Sequence, residues 1–336
     1  MSDKKMKVVT FGEIMLRLSP EGHNRLFQTP NLCASFGGSE SNVAVSLAIM
    51  GADASFVTRL PDSDVGRGAV SFLRGLGVGT DKISFGGDRL GVYYMESGAG
   101  ERQSVCIYDR RNSAIAEASP DDFDWNEIFE GADWFHFSGI TPALGGNLPE
   151  ICEAACAAAH AHGVKISCDL NYREKLWSRE EACGVMTRLC RYVDVCIGND
   201  EDARDVFGIV ADGGAQGKES YLSVSRQLTE KFGFSDVAMV LRMSDGSLGY
   251  ELTGLVYDGK SGRAEFAPTH KLEIIDRIGA GDAFCAGLIY AMLSGMSRTD
   301  TVKYAVAASA LKHTVVGDCN RVRPEEVKKA MNPPKA

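Results

Sequence analysis

Residues 274–284, IIDRIGAGDAF, place a short glycine turn and a carboxylate immediately before an apolar segment with helical spacing. The first turn of a helix has unpaired backbone N–H groups and a partial positive charge, and glycines let an anion approach that backbone. Gly279, Ala280 and Gly281 could therefore hold an anion, while Asp282 could accept a proton from a bound substrate. The same residue types also fit a plain helix start, with glycines that turn and Asp282 as N-cap. From the residues alone, both interpretations stay open.

Familiar nucleotide-binding loops do not account for this segment. No G-x-x-x-x-G-K-[ST] sequence occurs in the chain, and Phe284 stands where G-x-G-x-x-G requires its third glycine. That dinucleotide motif belongs in the first βα turn, and GEIMLR near the N-terminus does not supply it, which leaves a dehydrogenase as a weak alternative. A glycine anion hole beside a carboxylate fits phosphoryl transfer better, because that loose transition state needs charge stabilisation and little early deprotonation.

Two segments resemble the signatures of the ribokinase-like (PfkB) carbohydrate kinases. DRIGAGD is similar to the C-terminal signature, and GGSESNVAVSLAIMG at residues 37–51 is similar to the N-terminal one, in the family's order and separation. The resemblance covers nearly the whole chain. It implies ATP and Mg²⁺, with Asp282 as catalytic base and the turn Gly279–Gly281, including Ala280, as anion hole. It leaves open a monovalent cation near that hole, as in some members, and Arg277, where many members have Thr or Ser, has no assigned role.

Four further segments look like the 2-keto-3-deoxygluconate kinases within this family: GVYYMESG, IYDRRNSA, LNYREKLW and HFSGITPAL. Arginine presents a planar fork of donors that matches a carboxylate, which a sugar acid has and a neutral sugar lacks. The resemblance implies that Arg110 and Arg173 hold the acid end of the substrate. The other implied substrate contacts are Tyr93 and Tyr108 as hydrogen-bond donors, Gly38 for close approach of the backbone, Asn42 to anchor that loop, and Asp318 toward sugar or nucleotide. A surface ion pair is the alternative for each arginine, and packing alone is the alternative for each tyrosine.

The nucleotide side shows two looser similarities. VLRMSDGSLGY resembles the family's strand and loop that contact ATP, with Arg242, Ser244 and Gly246 as the implied contacts. GNDEDA resembles the family's Asn-x-x-Glu motif, which organises magnesium and phosphate through water. Asn199 and Asp202 take those positions, and Mg²⁺ commonly keeps several waters that can accommodate the shorter Asp. A helix N-terminus enriched in acidic residues is the alternative interpretation.

The pattern of elements predicts an α/β fold. Strand-like and helical segments alternate along most of the chain, which favours a mostly parallel central sheet covered by helices on both faces. The resemblance implies a ribokinase-like three-layer sandwich. Lys7 to Ser19 is predicted to form a first strand, and about 15–36 together with 88–112 is predicted to form a small β lid. We expect one kinase domain over residues 1–336, with the lid inserted in its α/β core.

Composition limits the partners. The 336 residues carry a formal net charge of -9 without any basic block, which argues against nucleic-acid binding. The ten cysteines are scattered without a C-x-x-C pair, no apolar run is long enough to cross a bilayer, and the start lacks the pattern of a signal peptide. We therefore expect a cytoplasmic protein without membrane partners. Exposed strand edges in a lid predict a homodimer or larger homo-oligomer.

The function that these observations favour is ATP-dependent phosphorylation of the terminal hydroxyl of 2-keto-3-deoxygluconate, with Asp282 as base. A kinase for a neutral sugar such as fructose or ribose is the nearest alternative. A catalytically silent sugar-binding protein on the same fold is a second alternative, against which the intact Asp282 argues.

Overall fold

The computed structural model describes residues 6–244 and 250–333. Its strands, in chain order, are β1 (Lys7–Phe11), β2 (Met15–Ser19), β3 (Cys33–Gly37), β4 (Asp53–Val57), β5 (Arg59–Leu60), β6 (Ser84–Phe85), β7 (Val92–Glu96), β8 (Val105–Asp109), β9 (Trp134–Ser138), β10 (Lys165–Asp169), β11 (Val195–Gly198), β12 (Asp236–Ser244), β13 (Tyr250–Asp258), β14 (Arg263–Phe266) and β15 (His270–Leu272). Nine of them form a central sheet in the order β14-β13-β12-β11-β10-β9-β1-β4, with β15 beside β13.

Most neighbours in the central sheet are parallel. The pairs from β4 through β1, β9, β10 and β11 to β12 are parallel, and the pairs of β13 with β12, β14 and β15 are antiparallel. Every residue of β9 is buried, as expected for a strand that is covered on both faces. The predicted mostly parallel α/β sheet is confirmed.

Helices cover both faces of this sheet. They are α1 (Ser39–Ile49), α2 (Asp64–Gly75), α3 (Trp125–Phe129), α4 (Ile140–Ala143), α5 (Leu148–Ala161), α6 (Arg179–Leu189), α7 (Asp200–Phe207), α8 (Lys218–Phe232), α9 (Ala280–Leu293), α10 (Arg298–Lys312) and α11 (Pro324–Ala330). One core layer packs α1, α9 and α10 against the sheet, and a second packs α3 and α5–α8 against the opposite face. In the part of the chain that the structure describes, no helix combines the length and the apolar character needed to cross a bilayer.

A second, four-stranded sheet has the order β3-β2-β7-β8. Its strands lie within residues 15–37 and 92–109, compared with the 15–36 and 88–112 expected for a lid. The predicted hairpin is present, because β7 and β8 pair antiparallel with Tyr93 opposite Tyr108. We call this sheet the lid sheet. That the chain is one domain with an inserted lid stays a prediction.

The single first strand predicted for Lys7 to Ser19 is wrong. The segment forms two strands in different sheets, β1 in the central sheet and β2 in the lid sheet. Gly12, Glu13 and Ile14 separate them, and the carboxylate of Glu13 is buried. Strand-like apolar residues stand on both sides of Gly12 and Glu13, so their pattern concealed the change of sheet.

Candidate active site

A cleft of about 1480 Å³ opens where the central strands end. Asp169 at the end of β10 and Gly198 at the end of β11 line it, together with Gly38 before α1 and the turn that runs from Gly279 into α9 at Asp282. Ligands of open parallel sheets bind outside the carboxyl ends of the strands. Both glycine signatures of the sequence therefore meet at the edge of the sheet where a substrate is expected.

Asp282 is held by two side chains from the first turn of α1. Ser39 Oγ donates a hydrogen bond to Oδ1 at 2.9 Å, and Asn42 Nδ2 donates to Oδ2 at 2.8 Å. Burial raises the pKa of Asp282 to about 6, although both hydrogen bonds lower it, and the carboxylates of Glu40 and Asp318 raise it further. A carboxyl group with this pKa is ionised at neutral pH and more basic than ordinary Asp, which suits a general base.

The turn before Asp282 is open toward the cleft. Gly279 is the N-cap of α9, with φ 76° and no side-chain cap, so Asp282 is not the N-cap. A Cβ on Gly279 would lie 1.9 Å from the carbonyl oxygen of Asp318, whereas a Cβ on Gly281 would meet nothing within 4 Å. Gly279 is required by its conformation and its close contact. Gly281 leaves space at the start of a helix whose N–H groups can bind an anion.

Replacing Gly281 with Ala should reduce kcat by about a hundredfold without loss of folding stability, because a methyl group would enter the space expected for the phosphoryl group. Gly184→Ala is the matched control, since Gly184 also lies in a helix and a Cβ there would also meet nothing within 4 Å. Steady-state kinetics and thermal unfolding of both variants test this. Equal kcat values for the two variants would place the phosphoryl group elsewhere.

Replacing Ser39 with Ala should move the acid limb of the pH–rate profile upward by about one pH unit, because one hydrogen bond that lowers the pKa of Asp282 is lost. Ser41→Ala is the control, since Ser41 Oγ donates to the carbonyl oxygen of Gly38 and not to a carboxylate. The measurement is kcat/KM against pH. An unchanged limb in Ser39→Ala would show that Asp282 does not control this part of the profile.

The other carboxylates that line the cleft include Asp169 and Asp202. Burial raises the pKa of Asp202 to about 6, and burial followed by repulsion from Asp202 and Asp282 raises the pKa of Asp169 well above its usual range. Asp202 Oδ1 accepts the N–H of Tyr172 at 3.0 Å, and Asn199 Oδ1 accepts the N–H of Asp202 at 2.8 Å as the cap of α7. Asp169 was not among the sequence candidates.

These acids fit a bound Mg²⁺ in part. A cation relieves the repulsion between neighbouring carboxylates, and carboxylate oxygens are ligands that Mg²⁺ prefers. Among residues 6–244 and 250–333, no group of three metal-ligating side chains is close enough to hold a metal ion. Phosphate oxygens and waters would therefore be needed to complete the coordination.

The arginines that line the same cleft include Arg173 after β10, Arg242 on β12 and Arg277 before the glycine turn. Neither the guanidinium of Arg173 nor that of Arg277 forms a hydrogen bond or an ion pair with a described residue. Burial, and then repulsion from Arg277, lower the pKa of Arg242. Unpaired guanidinium groups in a cleft are suited to bind phosphate or carboxylate groups. Arg277 thus lies where it could contact a ligand.

The model of the pfkB family of carbohydrate kinases matches residues 5–325 of this chain. The protein belongs to this family. Within the described residues, the fold, the two glycine signatures and the position of Asp282 in the cleft are those that the resemblance implies.

Relatives of this kinase are similar over almost their whole length. A 2-dehydro-3-deoxygalactonokinase of Haloferax volcanii is 36% identical over 97% of this chain and 96% of that protein. The crystal structure of a 2-dehydro-3-deoxygluconokinase from Thermotoga maritima has a TM-score of 0.94 and 47% identity, covering 97% of this chain and 98% of that chain. A 5-dehydro-2-deoxygluconokinase of Bacillus velezensis is 27% identical over 92% of this chain and 89% of that protein.

Arg110 of this PfkB kinase lines the cleft but already has a partner. Its Nε donates to Oε2 of Glu13 at 2.7 Å, its Nη2 pairs with the same oxygen, and Ser113 Oγ donates to Oε1 of Glu13 at 2.6 Å. The guanidinium also lies over the ring of Tyr108, 5.4 Å from its centroid. The sequence left a surface ion pair open as the alternative for Arg110, and the ion pair with Glu13 differs from that alternative in being buried. That Arg110 also contacts the substrate stays a prediction.

Tyr93 and Asp318 are bound to each other. The hydroxyl of Tyr93 donates to Oδ2 of Asp318, and Arg17 pairs with Oδ1 of Asp318 and, at 3.3 Å, with Asp276. Tyr93 also stacks on Tyr108, with 5.9 Å between the ring centroids. Both tyrosines and Asp318 line the cleft, and any contact with substrate stays a prediction. Arg17 was not a sequence candidate, because one basic residue in a strand-like segment gives no signal.

Gly38 and Asn42 have structural contacts in addition to the substrate contacts expected of them, which stay predictions. A Cβ on Gly38 would lie 1.9 Å from the carbonyl oxygen of Glu13, so close backbone packing requires this glycine. Asn42 Oδ1 accepts the N–H of Gly38 at 3.4 Å while its amide nitrogen binds Asp282, so Asn42 anchors both the loop and the carboxylate. The anchoring role is as expected, and the contact with Asp282 is additional.

The proposed nucleotide loop is only partly described. Gly246 lies outside the described residues, and Ser244 ends β12 with its side chain outside the description. Arg242 and Asn199 line the cleft. Their contact with a nucleotide stays a prediction.

Proposed function

We propose that this carbohydrate kinase transfers the γ-phosphoryl group of ATP to the terminal hydroxyl of 2-keto-3-deoxygluconate. The observation that carries the proposal is the combination, in one cleft, of the hydrogen-bonded carboxylate of Asp282 and the guanidinium of Arg173, which forms no hydrogen bond or ion pair with a described residue. The carboxylate of Asp282 is suited to accept a proton from the substrate hydroxyl. The guanidinium of Arg173 is suited to bind a carboxylate at the other end of the short carbon chain of the substrate.

Similarity supports an acid substrate. The three relatives described above are named for 2-dehydro-3-deoxygalactonate, 2-dehydro-3-deoxygluconate and 5-dehydro-2-deoxygluconate, all of which are deoxy keto acids of six-carbon sugars. 2-Dehydro-3-deoxygluconate is another name for 2-keto-3-deoxygluconate, and 2-dehydro-3-deoxygalactonate is its C4 epimer. Of the two relatives named for these epimers, the one named for the gluconate is more similar to this chain, with 47% identity against 36%. We therefore favour the gluconate epimer.

Asp282, the turn 279–281 and the two side chains that bind Asp282 have separate roles in phosphoryl transfer. Asp282 takes the proton of the terminal hydroxyl while the hydroxyl oxygen forms a bond to the γ-phosphorus and the bond from that phosphorus to ADP breaks. The N–H groups in the turn 279–281 at the start of α9 stabilise the charge on the transferring group. Ser39 and Asn42 keep the carboxylate of Asp282 oriented toward the hydroxyl.

Arginines and acids in the cleft are the candidates for nucleotide binding. Arg242 and Arg277 would bind phosphate oxygens, and Asp169 and Asp202 would face a magnesium ion through its water shell. Mg²⁺, when bound, would neutralise charge on the nucleotide phosphates. The role of Asn199 would be to hold the backbone before Asp202 in place through its cap of α7.

A kinase assay with a panel of acceptors tests the proposal. The panel contains both epimers of the 2-keto-3-deoxy acid, 5-dehydro-2-deoxygluconate, fructose and ribose, each with ATP and Mg²⁺. We expect the highest kcat/KM for 2-keto-3-deoxygluconate and a product phosphorylated at its terminal hydroxyl. Turnover of fructose or ribose with no turnover of the keto acids would contradict the proposal.

Assembly through the lid sheet is a further part of this proposal. The strand β8 is an edge of the lid sheet, and its residues Val105 and Ile107 are exposed. An exposed apolar edge strand is commonly covered by another chain. Sedimentation of the purified protein should give the mass of a dimer or a larger homo-oligomer, and a monomer at all concentrations would contradict this.

A further inference from the structure

Lys312, the last residue of α10, is a fully buried lysine. Its ammonium nitrogen Nζ donates to the carbonyl oxygen of Val315 at 2.9 Å and to the carbonyl oxygen of Asp276 at 3.3 Å. A buried ammonium group is costly unless it is paired or hydrogen-bonded. Its position among backbone oxygens therefore calls for an explanation beyond packing.

The two carbonyl groups belong to loops that meet beneath the glycine turn. The N–H groups of Ile275 and Asp276 donate to the carbonyl oxygen of His313 at 2.9 and 3.1 Å, and Gly317 N–H donates to Oδ2 of Asp276 at 3.0 Å. The backbone of Gly279 contacts that of Asp318 so closely that no Cβ fits between them. Lys312 thus bridges the loop that leads into the anion hole and the loop that supports it.

Lys312 has two carboxylates and one further cationic side chain in its surroundings. Arg17 pairs with both Asp276 and Asp318. Burial lowers the pKa of Lys312, and the carboxylates of Asp276 and Asp318 act in the opposite direction. Two cationic side chains, Lys312 and Arg17, therefore face two carboxylates in the same buried region.

This arrangement does not fit an exchangeable monovalent cation at these carbonyl groups. Such an ion would bind backbone oxygens, and the oxygens of Asp276 and Val315 are already bound by Nζ of Lys312. A second cation there would lie beside an ammonium group in a region of low dielectric, where like charges repel strongly. K⁺ and an ammonium group have the same charge and similar preferences for carbonyl oxygens, so one can take the place of the other.

We infer that Lys312 is a built-in cation at the base of the anion hole and that the kinase needs no exchangeable monovalent cation. The ammonium group holds the carbonyl of Asp276, and with it the turn Gly279–Gly281, in the conformation that receives the phosphoryl group. Lys312 is a positioning residue, since it acts through the loop. The inference rests on the proposed role of that turn in phosphoryl transfer.

The wild-type protein provides the first test. Phosphorylation of the keto acid is measured in KCl and in tetramethylammonium chloride at equal ionic strength, and thermal unfolding is measured in the same salts without substrate. We expect equal kcat values and equal Tm values in the two salts. A severalfold higher kcat in KCl, or a Tm raised specifically by K⁺, would overturn the inference. The unfolding experiment needs no activity, so it remains decisive if the proposed substrate is wrong.

Lys312→Met provides the second test, because Met keeps most of the side-chain volume and removes the charge. Lys303→Met is the control, since Lys303 lies on the same helix and is only partly buried. In tetramethylammonium chloride, kcat of Lys312→Met should fall by about tenfold or more, and K⁺ or NH₄⁺ should restore part of it and raise its Tm. The Lys303→Met variant should behave as the wild type does in every salt. Full activity of Lys312→Met without K⁺, or a loss that neither ion restores, would contradict the inference; if this variant does not fold, the wild-type test still decides.

Discussion

Asp282→Asn is expected to lower kcat by about a thousandfold, because the amide cannot take the proton of the attacking hydroxyl. Binding of the sugar acid should be nearly unchanged, since the amide has almost the shape of the carboxylate. Stability at pH 8 should not fall, because burial disfavours the ionised carboxylate in the folded state, as its raised pKa shows. Steady-state kinetics, calorimetric titration of the acid and thermal unfolding separate these effects.

Asp64→Asn is the matched control, because Asp64 also lies in the first turn of a helix, is exposed and does not line the cleft. The wild-type kcat/KM should fall as the pH decreases below about 6, where Asp282 becomes protonated, and should reach a plateau above it. If Asp282→Asn kept most of its kcat, or if the acid limb lay far from pH 6 in the wild type, another group would be the base.

Arg173→Met is expected to raise KM for 2-keto-3-deoxygluconate by about a hundredfold with a smaller effect on kcat, because a charged hydrogen bond to the carboxylate is lost from both the ground state and the transition state. Arg173 forms no hydrogen bond or ion pair with a described residue, but its charge lowers the pKa of Asp169 and of Asp202, so its removal should also make these two carboxyl groups harder to ionise. The measurement is KM and kcat for the keto acid and for a neutral acceptor that is turned over slowly.

Arg191→Met serves as the control for this prediction, since Arg191 is exposed and does not line the cleft. The neutral acceptor should show little change in KM with Arg173→Met, which lowers the discrimination between acid and neutral substrates. An equal loss for both acceptors would mean that Arg173 binds the nucleotide phosphates instead. Arg110→Met is less informative, because it would leave the buried carboxylate of Glu13 without its ion-pair partner.

The overall architecture could be predicted because local patterns determine it. Alternating strand and helix segments predicted a mostly parallel sheet, and alternating residues around a glycine turn predicted the hairpin of β7 and β8. The resemblance placed the two glycine signatures in one site although 240 positions separate Asn42 from Asp282. Their direct hydrogen bond was not predicted, because it depends on how α1 and α9 pack side by side.

Residues whose roles depend on tertiary packing could not be predicted. Glu13 and Arg110 are 97 positions apart, and neither type indicates a buried pair, since most ion pairs lie on the surface. Lys312 at the end of a helix reads as an exposed residue that complements the helix dipole, yet it is fully buried. Asp169 ends an ordinary buried strand, and only the fold brings it close to Asp202 and Asp282.

A crystal structure of Asp282→Asn with 2-keto-3-deoxygluconate and a nonhydrolysable ATP analogue tests the central claim most directly. We expect the terminal hydroxyl to lie within hydrogen-bond distance of the side chain at position 282, with the γ-phosphoryl group at the start of α9. We also expect the carboxylate of the substrate to be bound by Arg173. A substrate bound in the reverse direction, with its carboxylate at the start of α9 and its terminal hydroxyl near Arg173, would rule out Asp282 as the base for that hydroxyl.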